Sequence, residues 1–163
     1  MVTFSRRHFA WGGASALAAS AAAPTTARAE TFEVTRSDAE WRRLLTPAQY
    51  AVLRKHETER PGSSPLDGEK RAGTFHCAGC DLPLFSSAAK FDSGTGWPSF
   101  WQPLERAIGT KEETTLLVFK QTEVHCRRCG GHLGHVLNDG PKPTGLRYCM
   151  NGVAMKFTST ANG

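Results

Sequence analysis

Apolar and polar positions along this 163-residue chain change period several times, and each change marks a different element. Residues 8–26 form an uncharged run dominated by Ala, Gly and Ser, with no helical or strand periodicity. Ser37-Asp38-Ala39-Glu40 then forms a capping box, in which the hydroxyl serves first-turn N–H groups and the carboxylate reaches back. Trp41, Leu44 and Leu45 follow at helical spacing, which predicts a short helix with one buried face. Thr46-Pro47-Ala48-Gln49 repeats the start signal with Pro at the first helical position, and Tyr50 and Leu53 continue the stripe until Pro61-Gly62 stops it. Residues 61–73 are polar and rich in Pro and Gly, so they predict a loop wrapping towards the main domain. Beyond Gly73 the period shortens. Thr74–Cys77, Leu82–Phe85, Lys90–Ser93, Leu116–Phe119, Thr122–Cys126 and the segment carrying Cys149 all read as strands. The division expected is an address at residues 1–29, a helical lead-in and loop at 30–73, and a β domain at 74–163, with 30–163 folding as one unit.

The first segment is an address by its chemistry. Arg6-Arg7 precede the weakly apolar run, the pattern of a twin-arginine export signal. Ala27-Arg28-Ala29 supplies the small-x-small pattern of a cleavage site, with Glu30 opening the mature chain. The run is long enough to span a bilayer, but Ala, Gly and Ser gain little on leaving water, so a cleaved signal is favoured over an anchor. The expected location is the bacterial periplasm. Losing Arg6, Arg7 and Arg28 lowers the formal charge from +5 to +2, which removes the main electrostatic support for nucleic-acid binding.

Five cysteines carry the chemistry. Cys77-x-x-Cys80 and Cys126-x-x-Cys129 each follow a strand-like run and each encloses a tight turn. Two such knuckles bring four thiolates around one tetrahedral ion, as a closed structural zinc site requires. Three alternatives compete: two disulfides, a thioredoxin-like redox pair, and a nucleic-acid-binding finger. The absence of a βαβ context and the small net charge weigh against the last two. Export in the folded state favours metal over disulfides. His76 and His125 adjoin cysteines, but on strands their side chains point away from the ion.

Between the knuckles, Gly94-Thr95-Gly96-Trp97-Pro98-Ser99-Phe100-Trp101 sets three aromatics among glycines. Trp97 is read as the wall of a pocket for a methyl or thioether group, and Phe100 and Trp101 as core. After the second knuckle, His132 and His135 stand three residues apart. With the metal already supplied with sulfur, proton handling is the better use for them. Cys149 has no partner. Its inert alternative is a buried structural thiol, but an unpaired thiol in an oxidising compartment is a liability unless it reacts. His132, His135 and Arg147 are the candidates for lowering its pKa.

From Ser37 to Phe157 the chain resembles the methionine-(R)-sulfoxide reductases of the B family. The matching residues are Cys77-Ala78-Gly79-Cys80, Ser93 to Phe100, Cys126-Arg127-Arg128-Cys129, Gly131 to Val136, Asn138-Asp139-Gly140-Pro141 and Arg147-Tyr148-Cys149-x-Asn151. The resemblance implies a mainly β fold, with two antiparallel sheets forming a barrel-like domain, short N-terminal helices and a zinc-knuckle site. It implies one structural zinc ion on Cys77, Cys80, Cys126 and Cys129. Cys149 would be the nucleophile, His132 and His135 the proton donors or relays, Asn151 a residue holding the site, and Trp97 and Arg147 substrate-binding residues. The implied partners are proteins or peptides carrying methionine sulfoxide and an external thiol reductant, thioredoxin-like or small, acting on a monomer that binds no nucleic acid. Two departures stand out. Many members carry a resolving cysteine, often where this chain has Thr95, and Leu137 replaces the usual Phe. With no sixth cysteine, an internal disulfide at Cys149 is not expected. The competing readings are a non-catalytic secreted zinc-binding interaction module and a disulfide-stapled binder.

Overall fold

The computed structural model describes residues 30–115 and 119–160, and Thr31 onwards forms one compact unit. The signal assigned to residues 1–29 and most of the strand expected at 116–119 lie outside the described residues.

Both start signals produce the expected helices, α1 (Asp38–Leu44) and α2 (Pro47–Lys55), each with a complete capping box, on Ser37/Glu40 and Thr46/Gln49. Trp41, Leu45, Tyr50, Val52 and Leu53 are buried. Leu44, expected on the same face, is 57% exposed. It is the last residue of α1, and the chain turns there into α2, so Leu45 takes the inward position instead. Arg54 lies over the Trp41 ring, 4.9 Å from its centroid, and tethers α2 by donating from Nη1 to the Cys129 carbonyl at 3.0 Å.

The strands are β1 (Gly73–Cys77), β2 (Pro83–Ser86), β3 (Lys90–Phe91), β4 (Ser99–Phe100), β5 (Ile108–Thr115), β6 (Phe119–Cys126), β7 (His132–Leu137), β8 (Arg147–Met150) and β9 (Met155–Ser159). They form two antiparallel sheets, ordered β2-β1-β9 and β3-β4-β8-β7-β6-β5. The fold is therefore mainly β as expected, but the sheets do not close into a barrel: β5 and β3 remain the edges of the larger one. Phe75, Phe85, Phe100, Leu84, Leu133 and Met150 fill the core, and Phe85 stacks on Phe100 at 4.4 Å. Phe100 is thus core, whereas Trp101 is only partly buried.

Two strands carry no apolar alternation. β5 is polar, Lys111-Glu112-Glu113-Thr114, because an edge strand pairs on one side only and need not bury both faces. β7 is central, but His132, Gly134 and His135 break up its apolar residues, and its interior position follows from pairing with β6 and β8.

Candidate active site and metal centre

Two knuckles with the same backbone geometry hold the four paired cysteines. In the first, Cys77 N–H donates to the Leu82 carbonyl and Asp81 N–H returns to the Cys77 carbonyl, both at 2.9 Å. In the second, Cys126 N–H donates to the Gly131 carbonyl at 2.9 Å and Gly130 N–H returns to Cys126 at 2.8 Å. The returning residue is left-handed in each, with φ 63° at Asp81 and 65° at Gly130, which Gly adopts freely and Asp tolerates. The turns point the sulfurs at one another. Cys77 and Cys129 Sγ lie 3.7 Å apart, Cys80 and Cys126 Sγ 3.4 Å, and all four within 4.8 Å. A tetrahedral ion with metal–sulfur bonds of about 2.3 Å sets an edge of about 3.8 Å, so the donors fit a metal. No disulfide joins any of the five cysteines. Contacts with Cys126 and the other sulfurs hold the Cys80 thiol far below its ordinary value and the Cys77 thiol far above it. His76 reaches the Asp81 carbonyl and His125 packs edge-on against Phe32, so neither joins the cluster.

Cys149 sits on β8 between β4 and β7, opposite Ser99 on one side and His135 on the other. Register alone therefore brings the nucleophile candidate and one histidine onto facing positions. They line a cleft of about 780 Å³ together with Thr58, Trp97, Arg147 and Asn151. Ser93 Oγ joins the Thr95 and Ser99 hydroxyls, each at 2.8 Å, and Thr95 lines the same cleft as Cys149. The position where the resemblance sets a resolving cysteine thus lies in the cleft of Cys149 and carries a hydroxyl. Arg147 is held by Asp139 through two hydrogen bonds of 2.9 and 2.6 Å.

The electrostatics differ from the sequence expectation. Burial pushes the Cys149 thiol above its ordinary 9.0, outweighing Arg147, Thr95 and Ser99, which pull it down. Burial likewise lowers His135, and the adjacent His132 adds to that. In the free protein the pair is therefore thiol and neutral imidazole. Alkylation of Cys149 in the metal-loaded protein should keep accelerating with pH beyond 9.0, and the midpoint should move higher in Arg147→Ala. A midpoint below 9.0 would contradict this arrangement.

His132 is not a cleft residue. It is 1% exposed, and its Nδ1 bonds the buried Glu123 carboxylate at 2.8 Å. Its ring meets His135 edge-on at 5.3 Å, while its Nε2 has no partner among the protein groups. Asn151 uses both ends of its amide on backbone, accepting from Glu59 N–H at 2.9 Å and donating to the Leu133 carbonyl at 3.0 Å. Its position fits holding the site.

Two acidic residues escaped the sequence reading. Glu59 binds Trp97, Asn151 and the turn after β8: its carbonyl accepts from Trp97 Nε1 at 3.1 Å, and its carboxylate accepts the Gly152 and Val153 N–H groups at 2.6 and 3.0 Å. It lies in a polar loop with no local signal. Glu123 left a faint one, a carboxylate inside a run otherwise expected to be a strand.

Gly134 is required by close approach. A Cβ there would stand 2.1 Å from the Cys149 carbonyl oxygen and 3.0 Å from Met150 Cα. Both are backbone, so β8 itself would have to move. Gly134→Ala should cost about 3 kcal/mol, the upper end for overpacking, and should displace Cys149. A variant with unchanged melting and activity would refute that.

The SelR domain family matches residues 45–159. The peptide methionine sulfoxide reductase MsrB of Agrobacterium fabrum is 50% identical over 125 residues, 77% of this chain and 93% of its own. The MsrB of Pseudomonas putida is 54% identical over 118 residues, 72% and 89% of the two chains. The MsrB of Bradyrhizobium diazoefficiens is 54% identical over 125 residues, 77% and 90%. Matches of this extent cover both knuckles and the Cys149 cleft alike, and on them the chain belongs to the SelR domain family, that of the MsrB reductases.

Proposed function

We propose that the protein reduces methionine-(R)-sulfoxide in peptides and proteins to methionine through a sulfenic acid on Cys149. The observation that carries this reading is the pairing of Cys149 with His135 across β8 and β7, inside a cleft walled by Trp97. The Cys149 sulfur attacks the sulfoxide sulfur. Neutral His135 accepts the thiol proton and passes it to the sulfoxide oxygen, since a bare oxide leaves poorly. The oxygen ends on Cys149, whose sulfur is oxidised as the substrate sulfur is reduced, and methionine leaves. His132 acts behind His135, packing edge-on against its ring while the Glu123 carboxylate fixes His132 itself. Trp97 receives the substrate methyl group and Arg147, which lines the same cleft, helps hold the substrate.

An external thiol then attacks the sulfenic sulfur, water leaves, and a second thiol releases Cys149 as the reductant becomes a disulfide. The presence of Thr95 beside Cys149 supports this one-cysteine cycle. The tetrathiolate is read as one structural zinc ion, which supplies cross-linking of β1 to β6 and no chemistry at the cleft. Residues 1–29 are read as a twin-arginine signal; Ala29→Leu should leave an unprocessed precursor, and normal processing would refute that cleavage site. A non-catalytic zinc module is not favoured, because it leaves the Cys149 cleft without a use.

The test is reduction of the separate R and S epimers of a methionine-sulfoxide peptide. Turnover of R alone is expected, with a sulfenate probe labelling Cys149 when thiol is withheld. Equal use of both epimers, or a Cys149 disulfide within the chain, would overturn the reading.

A further inference from the structure

Behind the cleft, three donors converge from three elements. His56 is the left-handed residue, φ 57°, that caps the end of α2. Glu123 comes from β6 and His132 opens β7. Both imidazoles turn Nδ1 to the same carboxylate oxygen, Glu123 Oε1, at 3.2 Å from His56 and 2.8 Å from His132. Glu123 and His132 are 3% and 1% exposed, while the His56 side chain keeps 52% of its surface in water.

We propose that His56, Glu123 and His132 form a second divalent-cation site, and that zinc bound there immobilises His132 and slows the reaction. The geometry fits a shared ion closely. With metal–nitrogen and metal–oxygen bonds of about 2.1 Å, a tetrahedral ion sets donor–donor edges of about 3.4 Å. The observed nitrogen–oxygen separations of 3.2 and 2.8 Å fall short of that by about 0.2 and 0.6 Å, so His132 and Glu123 would draw apart slightly to admit the ion. An imidazole nitrogen lies about 1.1 Å from its ring centre, so two rings on one such ion stand about 5 Å apart. The His56 and His132 centroids are 5.0 Å apart. All ligand atoms lie within 4.8 Å of one another.

The donor set is nitrogen and carboxylate oxygen, unlike the sulfur of the knuckles. It suits zinc and its neighbours in the first transition series, with copper(II) and nickel(II) expected to compete. His56 offers the entry side, since it alone reaches solvent, and a water completes four-coordination there. Binding replaces the proton on each Nδ1, so the dyad of His132 with Glu123 no longer carries one. The inhibitory half of this inference rests on the proposed proton role of His135 and His132; the binding half does not.

His56→Gly separates the two halves. Glycine adopts the left-handed cap more readily than histidine, so the helix end is kept while the ligand is lost. Zinc binding is measured by equilibrium dialysis in a Cys149→Ser background, which removes the cleft thiol as a competing ligand. The chain with His56 should hold one ion beyond the tetrathiolate, and His56→Gly none. The same extra ion in both, or in neither, would overturn the site. Activity is then measured with Cys149 intact. Basal turnover should be equal, and excess zinc should suppress the unaltered protein while sparing His56→Gly. Equal suppression of both would place the inhibitory ion at Cys149 and overturn the inhibitory half. If neither protein reduces methionine sulfoxide, the functional reading fails, and the dialysis result still decides the site.

Discussion

Cys149→Ser should abolish reduction of methionine-(R)-sulfoxide, lowering kcat by more than about a thousandfold, as loss of a covalent nucleophile does. A serine hydroxyl is far less acidic and less polarisable than a thiol, and it forms no analogue of the sulfenic acid. No other cysteine can take over, because Cys77, Cys80, Cys126 and Cys129 are gathered at the other site. The substitution removes only a sulfur from a half-buried position, so folding should survive. The pocket contributed by Trp97 and Arg147 is untouched, so substrate affinity should hold while turnover is lost. That split between binding and kcat is the decisive measurement. Wild-type turnover in Cys149→Ser would end the mechanism, and weakened binding with normal turnover would make Cys149 a binding residue instead.

Replacing one sulfur of the other cluster should have the opposite signature. Cys126→Ser, or stripping the metal with a strong chelator, is expected to unfold the domain. A structural zinc ion contributes apparent binding energy of about 10–16 kcal/mol in small domains, against a total stability of about 5–15 kcal/mol for a typical fold. Losing a ligand therefore removes a quantity comparable with everything else that holds the sheets together. Cys126 ends β6, the neighbour of β7, and Cys77 ends β1, the centre of the small sheet. Without the ion, no side-chain cross-link ties β1 to β6, and buried thiols remain beside one another. Circular dichroism with zinc analysis reads this directly: Cys126→Ser should lose its cooperative melt, where Cys149→Ser keeps it. A metal-free protein melting at an unchanged temperature would show that the knuckles stand without zinc.

Some of the architecture was written in short-range patterns. The two capping boxes set both helix starts, because an N-cap and its third residue interact within one turn. The CxxC spacing marked both knuckles for the same reason: a tight turn returns its second thiolate locally. β5 and β7 left no such trace. What makes β7 a strand is the pairing of His135 with Cys149 and of Val124 with Gly134, and those partners are distant in the chain. The exposure of Leu44 follows from the direction of the α1–α2 turn, which periodicity does not encode.

The site divides in the same way. Residue identity determined that Cys149 is the unpaired thiol, that four cysteines suit a metal, and that Trp97 is available as an apolar wall. Tertiary structure decided which groups act together. It put His135 opposite Cys149 and sent His132 behind it onto Glu123, although the two histidines lie three residues apart. It recruited Glu59 from a featureless loop to hold Trp97 and Asn151. It also set the protonation state, since burial raises the thiol and lowers the imidazole. A sequence specifies which atoms are present and what their neighbours along the chain do. Desolvation and cross-strand pairing depend on distances that exist only once the sheets have formed.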